Sequence, residues 1–239
     1  MKLTFFGTSH GVPEPHRHCS CTLIEADGNC YFIDMGMMAL DELVNRGIAV
    51  DRVRAVFVTH MHGDHADGLV EFVDLLSWYY KTADPQIFLP DPKAVSILSD
   101  WLVCLGTQLR PEIGFGKVEA GMLYDDGVLK VTAVKTAHTG NSYAYYVQVD
   151  GKSVLFTGDL AAPAKDFPKI AFEQPTDLIL CEGAHFPAVD YLPVFAKSKA
   201  RRFYFNHYAP WNIPNILQVK QEMPDSEIVL ATDGLTVEI

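Results

Sequence analysis

The 239-residue chain lacks an uninterrupted apolar run of the length a bilayer span needs, so no membrane-crossing helix is expected. Its first residues, Met1-Lys2-Leu3-Thr4-Phe5-Phe6-Gly7, lack the long apolar stretch and small-residue cleavage site of an export signal, and the expected location is cytoplasmic. Cysteine is sparse and odd in number. Cys19, Cys21, Cys30, Cys104 and Cys181 cannot all pair, and a chain of this size folds without staples, so reduced thiols are expected. Positive charge is also in short supply. With 19 Lys and Arg against 30 Asp and Glu the formal charge is −11, which argues against a broad nucleic-acid footprint, because that requires clustered cations to replace counterions along phosphates. The one dense basic stretch, Lys197-Ser198-Lys199-Ala200-Arg201-Arg202, reads as a solvated helix end. No linker, low-complexity tract or short-period repeat interrupts the chain, and residues 1–239 are expected to form a single domain.

What is present is a 49% apolar sequence patterned as interleaved strands and helices. Leu3–Phe6, Thr22–Ile24 and Tyr31–Ile33 alternate as antiparallel strands do, and Asp27-Gly28 suits the positive φ angles of a tight hairpin. Met38 to Arg46 has helical spacing with Gly47 as its C-terminal cap, and the buried-strand pattern Ala55-Val56-Phe57-Val58 follows. Leu69, Phe72, Val73, Leu76 and Tyr80 predict a helix that stops before Pro85. Ile87–Leu89 is a short strand, and Asp91-Pro92 opens a helix carrying Val95, Leu98 and Leu102 as far as Gly106. Further strands are expected at Leu129–Val134, Tyr143–Val149, Ser153–Phe156, Leu178–Leu180, Phe203–Phe205 and Ile228–Leu230, with helical or irregular segments around Asp190–Lys199 and Ile213–Glu222. The pattern is that of an α/β fold with helices outside sheets.

The strand at 55–58 runs into Thr59-His60-Met61-His62-Gly63-Asp64-His65. His60, His62, Asp64 and His65 lie within six residues, where one turn can point several side chains at one place. Neutral imidazoles and a carboxylate are what zinc, manganese or iron accept, and a site with one position open to water generates hydroxide near neutral pH. A polar turn bent at Gly63 is the plain alternative, but so many ligand-type side chains outweigh it. A second group, His16, His18, Cys19 and Cys21, has no recognised tetrahedral spacing, and neighbours on a strand face opposite ways, so no separate metal centre is expected there.

His-x-His-x-Asp-His at a strand end resembles the signature of the metallo-β-lactamase superfamily. The resemblance implies an α/β four-layer αβ/βα sandwich with a dinuclear site in the cleft between two sheets, completed by ligands from three later strand ends. Thr136-Ala137-His138-Thr139-Gly140-Asn141-Ser142-Tyr143 resembles the third motif of that family, Phe156-Thr157-Gly158-Asp159 the fourth and Phe205-Asn206-His207 the fifth. By this resemblance His60, His62 and His138 hold one divalent ion, Asp64, His65 and His207 hold a second, and Asp159 bridges them. Zinc is the expected metal, with manganese and iron as alternatives. Asp34 resembles the early aspartate that would buttress the histidine loop, although an ordinary strand-end turn residue explains it equally well. The implied chemistry is hydrolysis by a metal-bridging hydroxide, with no protein nucleophile, and Asp64 and His185 are the side chains assigned to catalysis.

Phe6-Gly7-Thr8-Ser9-His10-Gly11-Val12-Pro13 resembles the glycine-rich opening of the ribonuclease Z branch and its phosphodiesterase relatives. Asp177-Leu178-Ile179-Leu180-Cys181-Glu182-Gly183-Ala184-His185 resembles that branch's late His-Glu-Ala-Thr segment imperfectly, with Cys181 where histidine stands. No long glycine- and lysine-rich arm is evident between Asp67 and His138 to clasp transfer RNA. With the acidic charge, these departures favour small phosphodiesters, cyclic nucleotides or related esters as substrate over nucleic acid. Lactone or thioester hydrolysis and a non-catalytic metal-binding module remain alternatives, and an oligomer is left open. A flavo-diiron role is disfavoured, since that branch places glutamate at the position of His62 and carries a flavodoxin domain. His185, just beyond the strand 178–180, is the candidate general acid with Glu182 holding its loop, because a histidine near pKa 6.5 gives up a proton at neutral pH. A helix-start histidine facing solvent is the plain alternative.

Overall fold

The computed structural model describes residues 1–239. The first half of the chain runs β1 (Lys2–Gly7), β2 (Cys21–Ala26), β3 (Asn29–Ile33), α1 (Ala39–Asn45), β4 (Val53–Phe57), α2 (Gly63–Ala66), α3 (Leu69–Trp78), β5 (Gln86–Leu89), α4 (Lys93–Leu105) and β6 (Gly114–Lys117). The second runs β7 (Gly121–Asp125), β8 (Lys130–Lys135), β9 (Tyr143–Val149), β10 (Lys152–Phe156), α5 (Pro163–Asp166), α6 (Ile170–Glu173), β11 (Leu178–Gly183), α7 (Leu192–Phe195), β12 (Arg202–Tyr208), α8 (Ile213–Glu222), β13 (Glu227–Leu230) and β14 (Thr236–Glu238). The strands form two seven-stranded sheets, ordered β14-β1-β2-β3-β4-β5-β6 and β13-β12-β11-β10-β9-β8-β7.

Both sheets are mixed for the same local reason. Hairpins give antiparallel neighbours: Asp27 and Gly28 take φ values of 45° and 76° between β2 and β3, and Asp150 and Gly151 take 49° and 75° between β9 and β10. Helical crossovers give the parallel runs β3 to β6 and β10 to β13. The interior strand β11 is buried along its whole length, and its first four residues, Leu178 to Cys181, read as a continuous apolar run rather than an alternating one.

Three apolar interfaces hold four layers together. Between the sheets, Leu3, Phe5, Tyr31 and Phe57 meet Val131, Tyr145, Val154 and Leu180. The outer face of the first sheet, with Phe32 and Val56, packs on Leu40, Phe72 and Leu102 from α1, α3 and α4. The outer face of the second, with Leu155, Ile179 and Phe205, packs on Phe195, Ile216 and Val219 from α7 and α8. Each such fully buried large side chain stabilises the fold by about 1.5–3 kcal/mol relative to exposure. The expected αβ/βα sandwich is therefore the architecture observed.

Three strands, β6, β7 and β14, were not expected. β6 contains Gly114 and Gly116, which carry no side chain to alternate, and β14 is a three-residue edge whose identity comes only from pairing Lys2 with Glu238. Helix α4 begins at Lys93, one residue later than expected, yet Asp91 Oδ1 still accepts the Lys93 N–H at 3.0 Å and so performs the capping role. No helix is long and apolar enough to cross a membrane. The C-terminal ends of β4, β10, β11 and β12 open onto one edge of the sandwich, the place where α/β sheets put their working residues.

Candidate metal centre

His60 follows β4, and the next turn leads into the single turn of α2, which carries Asp64 and His65. The β8–β9 turn brings His138, the end of β10 brings Asp159, and β12 brings His207. His60 Nε2 lies 2.9 Å from His62 Nδ1, and His62 Nδ1 lies 3.3 Å from His138 Nε2. Asp159 Oδ2 stands 3.6 Å from both His60 Nε2 and His138 Nε2. Its other oxygen, Oδ1, stands 3.5 Å from His65 Nε2 and 3.6 Å from His207 Nε2. Asp64 Oδ2 is 3.6 Å from each of the same two histidines. A tetrahedral ion with bonds of about 2.0–2.1 Å holds its ligand atoms about 3.3 Å apart. His60, His62, His138 and Asp159 form one group able to hold a cation, and Asp64, His65 and His207 form another.

The two sheets are fastened together beside this centre. Tyr143 N donates to Thr59 O at 2.9 Å, and the Tyr145 hydroxyl donates to Val58 O at 2.5 Å. Gly158 takes φ 57°, and a Cβ there would stand 3.0 Å from both the Thr59 Cβ and Tyr143 O, so only glycine lets the end of β10 approach β4 closely. Asp34 sits in the left-handed region at φ 60° and accepts the Thr59 N–H at 2.7 Å, the Thr59 hydroxyl at 3.0 Å and His65 Nδ1–H at 2.7 Å. Thr59 Oγ1 in turn accepts His60 Nδ1–H at 3.1 Å. With their Nδ1 atoms so engaged, His60 and His65 both aim Nε2 at the centre. Of the two readings open for Asp34, the buttress is the one its contacts support.

Electrostatics fit the same arrangement. Burial and then the neighbouring imidazoles hold His60 well below its ordinary pKa, and they press His207 down to about 3. Burial also lowers His138. These rings are neutral, the form a metal requires. Burial would lower His65 as well, but the carboxylates of Asp159, Asp34 and Asp64 outweigh it and push its pKa up to about 10. Three carboxylates around one imidazole create a demand for positive charge. His65 Nε2 and Asp159 Oδ1 are moreover buried without a hydrogen-bond partner, a situation that costs about 1–3 kcal/mol per atom when nothing compensates it. A cation between them satisfies both, so the residues fit a divalent metal.

Beside the centre, buried Glu182 receives four N–H groups: Leu160 N at 2.7 Å on Oε1, and Ala184 N at 3.0 Å, His185 N at 3.1 Å and His185 Nδ1 at 2.8 Å on Oε2. Asp159, Glu182 and His185 are close enough to form a third metal-type group. Glu182 is, however, already saturated by donors, which makes it an anchor for His185 rather than a ligand. The hydrogen bond to Glu182 raises the His185 pKa. Fully buried Asn212 fastens the same loop, donating to Gly183 O at 2.9 Å and Phe186 O at 2.8 Å and accepting Ala188 N at 2.9 Å. Asn212 was missed from sequence: an asparagine ahead of a helix signals a cap, and this one makes no side-chain cap bond to α8. In the N-terminal group, His18 is turned to Asp233 and Cys21 is buried in β2.

A family model described as anti-Pycsar protein Apyc1 matches residues 1–210. Curated ribonuclease Z of Pseudomonas putida is 35% identical over 144 residues, 58% of this chain and 44% of that one. Ribonuclease Z of Picrophilus torridus is 27% identical over 173 residues, 72% of this chain and 55% of that one. The chain thus spans about half the length of these curated relatives. Among solved structures, human tRNase Z, short form, superimposes with a TM-score of 0.79 at 19% identity, covering 100% of this chain and 99% of that one. The metallo-β-lactamase fold protein YhfI of Bacillus subtilis does so with a TM-score of 0.80 at 18% identity and the same coverage. The sandwich is the metallo-β-lactamase fold.

Proposed function

The chain belongs to the family described as anti-Pycsar protein Apyc1, and from its site we propose a metal-dependent phosphodiesterase that acts on a small substrate at a two-ion centre. The observation that carries this reading is the division of the Asp159 carboxylate, one oxygen facing His60 and His138 and the other facing His65 and His207. His60, His62 and His138 would hold one ion and Asp64, His65 and His207 the other, with Asp159 shared. Zinc suits this nitrogen and oxygen set best, and manganese or iron is the alternative. When bound, such a pair supplies Lewis acidity and a nucleophile derived from water at neutral pH.

The chain's own residues do the rest. Asp64 has Oδ2 turned toward His65 and His207, which leaves Oδ1 to orient the incoming water. His185 is locked through Nδ1 to Glu182, and its Nε2–H can donate to the departing oxygen. Exposed His62 and His185 stand at the mouth, where the substrate enters. A small substrate is favoured because residues between Asp67 and His138 are taken up by α3, β5, α4, β6, β7 and β8, all packed into the sandwich, and because the chain carries a formal charge of −11.

Metal analysis of the purified protein, joined to turnover of bis-aryl phosphate, a cyclic nucleotide, a lactone, a thioester and a transfer-RNA precursor, tests the proposal. Two equivalents of metal with turnover of small phosphodiesters is the expected result. Faster lactone or thioester hydrolysis with inert phosphodiesters moves the protein to carbonyl chemistry. Preference for the RNA precursor overturns the substrate class, and bound metal without any turnover leaves a binding module.

A further inference from the structure

The loop joining β1 to β2 lies over the second half of the metal centre, and its Arg17 is bonded through every donor it has. Nε–H goes to Thr8 Oγ1 at 3.1 Å. Nη1 donates to Glu14 Oε2 at 2.8 Å and to Tyr208 O at 3.1 Å. Nη2 donates to Thr8 O and, at 3.1 Å, to Tyr208 O. The guanidinium also lies 3.9 Å over the Tyr208 ring. Thr8 and Glu14 belong to the loop of the first sheet, whereas Tyr208 ends β12 of the second sheet and directly follows His207. Arg17 therefore clamps one sheet to the other across the cleft.

The loop itself is fixed at its far side. Thr8 Oγ1 donates to Asp233 Oδ1 at 2.7 Å, and Asp233 Oδ2 accepts His18 N at 2.6 Å and His18 Nδ1 at 2.9 Å. At the loop's tip, Gly11 has φ 85°, and a Cβ there would stand 2.5 Å from Asp64 Oδ2. One rigid loop thus abuts Asp64 through Gly11 and grips the backbone beside His207 through Arg17. The partners of Arg17 are Thr8, Glu14 and Tyr208, and none of these bonds reaches His60, His62 or His138.

We propose that Arg17 is a positioning residue for the second ion alone: by fixing the span between Asp64 and His207 it sets the affinity of the half-centre that those residues form with His65. The inference rests on the two-ion reading given above. Lysine cannot replace it, because an ammonium has the charge but only three donors and no flat face to lay on Tyr208.

The test is calorimetric titration of chelator-stripped wild-type protein, Arg17→Gln, Arg17→Lys and Gly11→Ala with zinc, together with thermal melting of each apo protein. Wild type should take up two ions. Each variant should bind the second ion about 10–100-fold more weakly while the first stays within about threefold, the scale on which supporting residues act on metal affinity. Equal weakening of both ions, or of neither, overturns the inference, as does an apo melting loss with unchanged affinities. If Arg17→Gln does not fold, Arg17→Lys carries the same prediction, while Gly11→Ala, which displaces Asp64 without touching the clamp, shows what a moved Asp64 alone does to the second ion. Uptake of a single ion by wild type would instead overturn the two-ion reading.

Discussion

His185 Nδ1 lies 2.8 Å from Glu182 Oε2, and that same oxygen also accepts the His185 backbone N–H at 3.1 Å. The ring is therefore fixed by a buried carboxylate at its inner edge while its outer edge faces the cleft mouth. A group held this way is suited to protonating a leaving oxygen and is not needed to hold metal. His185→Ala should keep both ions and lose roughly 10²–10⁴ in rate on substrates with poor leaving groups. Aryl phosphates leave unaided and should suffer much less. Comparing kcat for an alkyl and an aryl phosphodiester decides it: equal losses, or release of metal, would give His185 some other task.

Asp159 is the one side chain shared by both ligand groups. On the two-ion reading, Asp159→Ala removes the negative charge the two ions share and should abolish nearly all activity, at least about 10³-fold, with metal content falling below two equivalents. A chelator should produce the same loss in wild type, reversed by adding zinc. Turnover undiminished in the variant would sink the two-ion mechanism.

Asp34 supports both halves, His65 directly and His60 through Thr59. Asp34→Asn keeps a residue that tolerates the left-handed backbone but weakens these bonds, so metal affinity should fall about 10–100-fold, most at the His65 side. Asp34→Ala keeps a Cβ at φ 60° but loses the local bonding that makes this conformation tolerable for Asp and Asn, and it strands the buried Thr59 N–H, so the apo protein should also lose about 1–3 kcal/mol of stability. Denaturant melts of the two apo variants separate these effects. Equal stability would mean that the backbone there is unstrained.

The candidate ligand set is legible in sequence because its chemistry is local. His60, His62, Asp64 and His65 crowd one turn, and His138, Asp159 and His207 each sit where an apolar strand ends. The long helices and central strands are legible for a similar reason, since burial on one or both faces leaves a periodic mark. What lies outside that reach depends on partners far along the chain. Arg17 finds Tyr208 across 191 positions and Thr8 finds Asp233 across 225, and neither pair leaves a local pattern. The strand β14 exists only because β1 offers it an edge. Asp34 falls between the cases: its type and position suggest a support, but only the folded chain puts its carboxylate on His65.

Acid stability depends on a tie outside the candidate metal centre. The Tyr31 hydroxyl, from the first sheet, donates to Asp126 Oδ2 at 2.7 Å, and Tyr124 donates to the same oxygen at 3.0 Å. Asp126 Oδ1 accepts Val128 N at 3.0 Å and Leu129 N at 2.9 Å, so one carboxylate in the β7–β8 turn pins Tyr31 of the opposite sheet. Burial acts to raise its pKa, but the bonds from Leu129, Tyr31, Val128 and Tyr124 outweigh burial and hold it below the ordinary value of 3.8. A carboxylate with a lowered folded pKa contributes stability that is fully present above its unfolded value and is lost as pH falls through the folded one. Asp126→Asn should therefore destabilise the protein at pH 7 by about 1 kcal/mol, kept small by solvent screening of an exposed carboxylate. The gap between wild type and variant should close as pH is lowered from about 4 toward 2, because wild type itself then becomes neutral there. Urea titrations of both proteins at pH 7 and pH 3 measure it. A gap that widens on acidification would mean that the charge of Asp126 is not what holds Tyr31.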